Sequence, residues 1–383
     1  MKILLIGEYS RLHNSLKEGL QALGNEVTLV STGDHFKKFP SDILLKRKFD
    51  TGFSKKIKVG LYMLFGIDIT SLLLKKQFFS YKTQLQDFDV VQLINESPFG
   101  IEPKYEKKII SYLKKKNKKL FLLSCGTDYT SVKYAFEKRL RYSIFNPFFE
   151  GKVSEKDFAH TLKYLQPKYK DLHQFIFENV DGIIASDMDY DIPLTGKTKY
   201  LGLIPNPINT EKLKFESLSS EGKTIIFHGI NRTNYFKKGN DYFEKALEKI
   251  KEKYASKVEI ITVESLPYSD YISAYNSAHI LLDQVFSYDQ GYNALEAMAK
   301  GKVVFTGAET EFLKRFDLEE DEVCINALPD VEQLFQKLEQ LILDPEKLST
   351  ISNNARRFIE REHSYISIAE RYLQTWKGEN ISG

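Results

Sequence analysis

The run Lys2-Ile3-Leu4-Leu5-Ile6-Gly7, the leucines Leu12, Leu16, Leu20 and Leu23 behind it, and the segment Gly24-Asn25-Glu26-Val27-Thr28-Leu29-Val30-Ser31 decide the fold of this chain. An apolar run that does not alternate with polar residues and stops at a glycine is the pattern of a strand buried on both faces. Leucines three and four residues apart fall on one stripe of a helix, and Gly24-Asn25 supplies its stop. Strand, helix and strand in roughly thirty residues make a β-α-β unit, which implies a parallel sheet with helices over its faces.

The pattern repeats outward from there. Strand-like runs recur at Val90–Ile94, Lys119–Leu123, Gly182–Ala185 and Tyr200–Ile204, with helical stretches between them. A second series starts at Thr224–Phe227 and continues through Val258–Val263, Ile280–Leu282, Val303–Thr306 and Cys324–Asn326. Between the two, residues 208–222 follow Pro207 and carry a Ser-Leu-Ser-Ser stretch and Gly222, the composition of a linker. The expected architecture is α/β: residues 1–207 form one doubly wound Rossmann-like domain, 208–222 the linker and 223–362 a second such domain facing the first across a cleft. Residues 363–383 form a tail whose amphipathic helix, Ile366–Trp376, packs back on the first domain.

Length and composition fit two globular domains. The chain has 383 residues, 42% hydrophobic and 28% charged, which excludes disorder and fibrous repeats. Lys and Arg total 55 against 52 Asp and Glu, a formal charge of +3 that gives no case for a nucleic-acid binder. Cys125 and Cys324 are too far apart in sequence for a disulfide framework or a spaced zinc site, and a reducing, cytoplasmic setting fits them. The opening MKILLIG is too short for a signal peptide. The most apolar later stretch, Val59–Leu74, is interrupted by Gly60, Gly66 and Asp68, so no transmembrane segment is expected.

Doubly wound sheets bind ligands beyond the carboxyl ends of their strands. The first such loop, Gly7-Glu8-Tyr9-Ser10-Arg11, has one glycine and is not a dinucleotide fingerprint; it is either a tight turn or a set of amides for a phosphate. In Ser124-Cys125-Gly126-Thr127-Asp128, Asp128 either binds a hydroxyl or acts as a base, or caps the helix that begins at Tyr129. Cys125 reads as a small buried residue. Asp187-Met188-Asp189-Tyr190-Asp191 resembles a metal-binding carboxylate cluster, yet a polar loop explains it, and no metal or other cofactor is expected.

The second domain is more informative. Its first strand runs into a glycine-bounded loop carrying Arg232 and Lys238; a guanidinium fork and an ammonium ahead of a helix suit a diphosphate, and a solvated basic loop is the alternative. Farther on, the strand Ile280–Leu282 opens into a polar loop with Gly291, whose free amides point at any bound anion. Glu296 follows among Ala294, Leu295, Ala297 and Met298, neighbours too apolar for a solvated face, and is placed to accept from a ribose diol.

At these residues the chain resembles the GT-B glycosyltransferases of family 4 (glycosyl transferases group 1). Leu295-Glu296-Ala297-Met298-Ala299-Lys300-Gly301-Lys302-Val303-Val304 is similar to that family's L-E-A-M-A-x-G-x-P-V, and Lys238-Gly239 to its K-G. Gly24-Asn25-Glu26-Val27 looks like its G-H-E-V, and Ile204-Pro205-Asn206-Pro207-Ile208-Asn209 like the I-x-N-G-V-D of its domain junction. The resemblance implies that Arg232, Lys238 and Gly291 hold the donor diphosphate, that Glu296 holds the ribose, and that base contacts lie around residues 264–267. Where the family usually has a Glu on the transferred sugar this chain has Tyr288, with Asp289 beside it, so Tyr288, Asp289, Tyr292 and Asn293 become the donor-sugar candidates. The catalytic-site His that often ends the corresponding strand of the first domain is replaced by Ser124-Cys125-Gly126, which leaves Asp128 as the nearest polar group. The implied reaction is retaining, metal-independent transfer of a sugar from a nucleotide-sugar to a hydroxyl acceptor, in polysaccharide or glycolipid assembly.

Residues 36–82 contain 11 Lys and Arg against three Asp, a local excess of +8, interleaved with Phe and Tyr. Basic and aromatic surface on the acceptor domain suits an anionic membrane, at about 1 kcal/mol per cation near the lipid, and places the protein at the inner face of the cytoplasmic membrane with a saccharide or lipid-linked saccharide as acceptor. The alternative is an ordinary solvated face. Two other functions share this architecture: a nucleotide-sugar 2-epimerase, for which no cluster of acid and base residues is visible near the cleft loops, and a catalytically inactive binding partner.

Overall fold

The structure, a computed structural model, describes residues 1–33, 39–218, 222–264 and 275–379. Positions 36–38 of the basic stretch, 219–221 of the linker and 265–267 of the expected base-contacting segment lie outside the described residues.

Two parallel sheets are built as the sequence pattern demands. The first contains β1 (Lys2–Ile6), β2 (Glu26–Ser31), β3 (Ile43–Leu44), β4 (Val90–Leu93), β5 (Lys119–Ser124), β6 (Gly182–Ala185) and β7 (Tyr200–Leu203), in the order β3-β2-β1-β4-β5-β6-β7. The second contains β8 (Thr224–Ile230), β9 (Val258–Glu264), β10 (Ile280–Leu282), β11 (Val303–Thr306) and β12 (Ile325–Asn326), in the order β12-β11-β10-β8-β9. Ile3, Leu4, Leu5 and Ile6 are wholly buried, which is why β1 shows no alternation. The helix Leu12–Ala22 turns Leu12, Leu16 and Leu20 into the same core. Each such leucine contributes about 1.5–3 kcal/mol by leaving water.

The order of the strands locates the crevices. In the first sheet the chain winds one way from β1 to β2 and the other way to β4; in the second it does so from β8 to β9 and to β10. The carboxyl ends of β1 and β4, and of β8 and β10, therefore flank the two points where the winding reverses and a ligand can enter.

The chain crosses between the sheets and later returns. The amide of Ile208 donates to the His363 carbonyl (2.7 Å), and the helix Tyr365–Lys377 then lies along Leu12–Ala22. Gly19 allows the approach: a Cβ there would sit 2.1 Å from the Tyr365 carbonyl oxygen. At the far end Trp376 is buried 6.3 Å from the Phe121 ring, and Lys119 Nζ donates to its carbonyl (2.7 Å).

Two elements differ from expectation. The two-residue strand β3 is too short to show any periodicity in the sequence. Residues Met188–Leu194 form a helix where a polar loop was expected. Asp189 and Asp191 are favourable in a first helical turn, where the free amides carry partial positive charge, so an acid-rich segment that reads as a loop is also a legitimate helix start.

Candidate functional site

On the second sheet, β8 leads through a short turn at Arg232–Asn234 and the helical turn Tyr235–Lys238 into the helix Asn240–Tyr254. Gly239 sits between them at φ 70° because nothing larger fits: a Cβ would fall 2.2 Å from Val285 Cγ2. That contact presses the Lys238 loop onto the strand end after β10. Lys238 Nζ reaches Asp283 Oδ1 at 2.6 Å, with the carboxylate buried and the lysine side chain about one third exposed. Gly291, which starts the helix Tyr292–Ala299, lies beside the same group, its Cβ position 3.9 Å from Asp283 Oδ2. The structure thus brings together Lys238, Asp283 and the first amides of the Tyr292 helix where the winding reverses. Asp283 was not singled out in the sequence, although it directly follows β10.

Arg232 is placed differently. Its guanidinium forks onto both carboxylate oxygens of Glu264 at the end of β9, lies over the Tyr235 ring, and is more than half exposed. Glu296 is half-buried on the Tyr292 helix, one turn before Lys300.

The remaining donor-loop candidates bridge the two sheets. Tyr288 is buried; its hydroxyl accepts from the Arg141 amide (2.8 Å) and its ring stacks near Tyr142 and under the Arg141 guanidinium. Asp289 Oδ2 accepts from the Met188 amide (2.8 Å). The Tyr292 hydroxyl contacts Ser15 Oγ (2.6 Å) and the Pro207 carbonyl (3.1 Å); since a carbonyl accepts, tyrosine gives its proton to Pro207 and Ser15 donates to the phenol. Asp189 accepts from Ser287 Oγ (2.5 Å) and the Tyr288 amide (3.2 Å). Asn293 is half-buried in the first turn of the helix. The loop 287–292 is therefore held against the first domain by Ser15, Arg141, Met188 and Asp189.

On the first sheet, Asp128 caps a helix. Its carboxylate accepts from the Ser131 amide (2.7 Å) and from the hydroxyls of Ser131 and Ser124, and it is buried. Beyond β4, Asn95 ties the loops together by donating to the carbonyls of Cys125 (2.7 Å) and Thr127 (3.2 Å). Next to it, Glu96 Oε1 meets His173 Nδ1 at 2.5 Å, Glu96 Oε2 accepts from the Tyr129 amide, and the Tyr129 ring packs on His173. Burial raises the Glu96 carboxyl above the usual range, and the Asp128 charge adds to this while His173 opposes it. This pair was missed in the sequence. The strand-end rule would have found Glu96, two residues past the run read as a strand; His173 lies within a long helix, Pro167–Asn179, and carries no local signal. Its presence also corrects the expectation that no carboxylate and histidine meet at the strand ends. Cys125, expected as a small buried residue, is half-buried, and desolvation pushes its thiol strongly upward. In the loop after β1, Glu8 Oε2 accepts from the Asn14 amide and side chain and Arg11 pairs with Glu18.

Three carboxylates, two of them just described, converge beside the loop 287–292. Asp187, Asp189 and Asp289 each place an oxygen within 4.8 Å of the others.

Residues 232–374 match the family described as glycosyl transferase-like. Among curated protein sequences none matches this chain. Among solved structures, sucrose-phosphate synthase from Thermosynechococcus elongatus superposes over 99% of both chains with a TM-score of 0.63 at 14% identity. HepE of Anabaena, solved with UDP and glucose, does so over 99% of this chain and 100% of its own, with a TM-score of 0.58 at 11% identity. WaaG, a glycosyltransferase involved in lipopolysaccharide biosynthesis, covers 99% and 100% with a TM-score of 0.55 at 15% identity. The two-sheet architecture is that of the GT-B fold, as the resemblance implied.

Proposed function

We propose that this GT-B glycosyltransferase, whose residues 232–374 form a glycosyl transferase-like domain, moves a sugar from a nucleoside-diphosphate-sugar to a hydroxyl acceptor with retention of configuration and without a metal on the diphosphate. The observation that carries this reading is the convergence of Lys238 and the Gly291–Tyr292 helix start at the end of β10. As the glycosidic bond breaks, negative charge grows on the diphosphate, and an ammonium with preorganised amides meets it at the point of development. Arg232 completes the set by exchanging Glu264 for phosphate oxygens; both are bidentate partners of the same fork. Glu296 accepts from the ribose. Tyr292 and Asn293, at the same helix start, are the donor-sugar contacts in this reading. Asp128, a helix cap, orients Ser124 and the loop beside Glu96 rather than moving a proton.

The acceptor reading follows from the helix Gly52–Phe65. None of its residues is buried, and Phe53, Met63, Leu64 and Phe65 are each at least two thirds exposed beside Lys55, Lys56 and Lys58. Such a surface rests against anionic lipid, which suits a lipid-linked saccharide acceptor and a role in cell-surface polysaccharide or glycolipid assembly at the cytoplasmic face of the membrane. No helix among the described residues is long and apolar enough to cross a membrane alone.

A second reading, a nucleotide-sugar 2-epimerase, is favoured by the Glu96–His173 pair. An inactive binding partner is favoured by Tyr288, whose hydroxyl and ring are engaged by Arg141 and Tyr142 where the family has its sugar-contacting Glu. One set of experiments separates them. UDP, GDP and ADP are titrated by thermal shift, and a panel of nucleotide-sugars is then followed for transfer, hydrolysis and epimerised product. Transfer or slow hydrolysis with released nucleotide is expected. An epimer without nucleotide release, or binding without turnover, overturns the transferase reading.

A further inference from the structure

A small enclosed cavity lies where the two domains and the crossing segment meet, with room for about one water-sized particle. Asp187 follows β6, Asp289 lies in the donor loop, Asn206 in the segment leaving the first sheet, and His363 at the start of the returning tail; all four line it. Three of the four share one property. Asp187 Oδ1, Asn206 Oδ1 and His363 Nε2 are buried and make no hydrogen bond, and Asn206 and His363 are each more than nine-tenths buried.

The protonation of His363 is fixed by its other nitrogen. Nδ1 sits 2.8 Å from the Asn206 carbonyl, which only accepts, so Nδ1 carries the hydrogen and Nε2 presents a bare lone pair. The unpartnered atoms facing the cavity are therefore all acceptors, no lysine or arginine lines it, and the two other polar side chains of its wall, Ser186 and Gln290, donate elsewhere, to the carbonyls of Ser124 and Gly307. Arg315 and Arg371 donate to the carbonyl of Leu203, another residue of the cavity wall. Three carboxylates within 4.8 Å of one another repel unless something positive lies between them.

We propose that this cavity is a divalent-cation site that clamps the domains together, with Asp187 and Asp289 of its wall and the adjoining Asp189 as oxygen ligands and Asn206 and His363 completing the shell. Ligands of this kind, mostly hard oxygen with one imidazole, suit Mn²⁺ or Ca²⁺. The site is separate from the diphosphate, which Lys238 and the helix amides meet, so the cation serves geometry: it joins the strand end after β6 to the loop that presents Gly291. A buried water would supply two hydrogens to three unpartnered acceptors, and a proton on Asp187 would reach one of Asn206 and His363 and leave the other open.

The test uses the full chain, treated with chelator and then freed of it. Mn²⁺ and Ca²⁺ are titrated separately by calorimetry, and the thermal midpoint is read with and without each ion. One site per chain is expected, with a higher midpoint when filled. Asp187→Asn and Asp289→Asn should each weaken binding at least about tenfold, while Glu346→Gln, on a distant exposed helix start, leaves it unchanged. Should a carboxamide variant fail to fold, His363→Gln, which removes the ring nitrogen, gives the same comparison. Absence of saturable binding to the native chain, or binding that survives these substitutions undiminished, overturns the proposal. Because binding and melting are read without donor or acceptor, failure here leaves the transferase reading intact, and failure of that reading leaves the cation site intact.

Discussion

Lys238 and Arg232 were recognisable from residue type and loop position, yet the structure shows them in different circumstances. Lys238 rests on buried Asp283 beside Gly291, the place the proposed reading gives the diphosphate, whereas Arg232 is held by Glu264 and, in that reading, must leave it. Both Lys238→Ala and Arg232→Ala are expected to lower turnover at least about tenfold with the fold intact, the scale of losing one transition-state donor; near-normal activity in both removes the donor-site assignment. Asp283 and the tether that Glu264 makes to Arg232 were not legible, because a carboxylate that holds a lysine or arginine has no motif of its own. Glu106 shows another kind of hidden residue. It is wholly buried; Oε1 accepts from Ser97 Oγ and the amides of Phe99 and Ile101, Oε2 has no partner, and burial raises its pKa to about 7. The folded state therefore holds this proton between pH 4.5 and about 7 while the unfolded chain has lost it, so stability declines as pH rises through that window. The group's share is at most roughly 3 kcal/mol. Urea unfolding at pH 5 and pH 8 should show the decline in the native chain and a flatter profile in Glu106→Gln; equal slopes would mean that Glu106 titrates normally.

Whole elements were easier to read than side-chain geometry, because burial on two faces and helical spacing leave long patterns. β1, β2 and the leucine helix between them stand out for this reason. The elements that escaped, β3 and the helix Met188–Leu194, are short and owe their existence to neighbours, as the Met188 amide bonded to Asp289 illustrates. The helix Gly52–Phe65 is the opposite case: its composition was visible, and the structure adds that it has no buried face. Replacing Phe53, Met63, Leu64 and Phe65 with Ser is expected to reduce sedimentation with phosphatidylglycerol vesicles at least about tenfold, since each exposed side chain of this size gains over about 1 kcal/mol on entering lipid. Binding of the unaltered chain should also weaken as salt rises, because the lysines act through a screened field. Vesicle binding insensitive to both changes would show that this helix is not the contact.

At the scale of the molecule, two domains are held in register by the loop 287–292, by the crossing at Ile208 and by the returning helix Tyr365–Lys377. The near-neutral total charge gave no hint of this, since the contacts are hydrogen bonds and close packing; the sequence offered only the amphipathic pattern of the last helix. Gly19 is the most exacting point. In an ordinary helix, Gly to Ala is favourable by about 0.5–1 kcal/mol. Here the added Cβ would lie 2.1 Å from a backbone carbonyl and 2.9 Å from Ala369 Cβ, neither of which can rotate away. Overpacking of this sort costs about 1–3 kcal/mol, so the net sign reverses and Gly19→Ala should loosen the tail. The single tryptophan reports it directly, because Trp376 is fully buried against the first domain at the end of that helix. Its emission should shift to the red and become more accessible to acrylamide in the variant, with a lower thermal midpoint. Because the same tail carries His363 past Ile208, domain alignment should suffer as well, seen as a larger radius of gyration by X-ray scattering. An unchanged emission spectrum with a raised midpoint would show that the helix shifts to admit the methyl group, and that the close approach at Gly19 does not fix how the domains are joined.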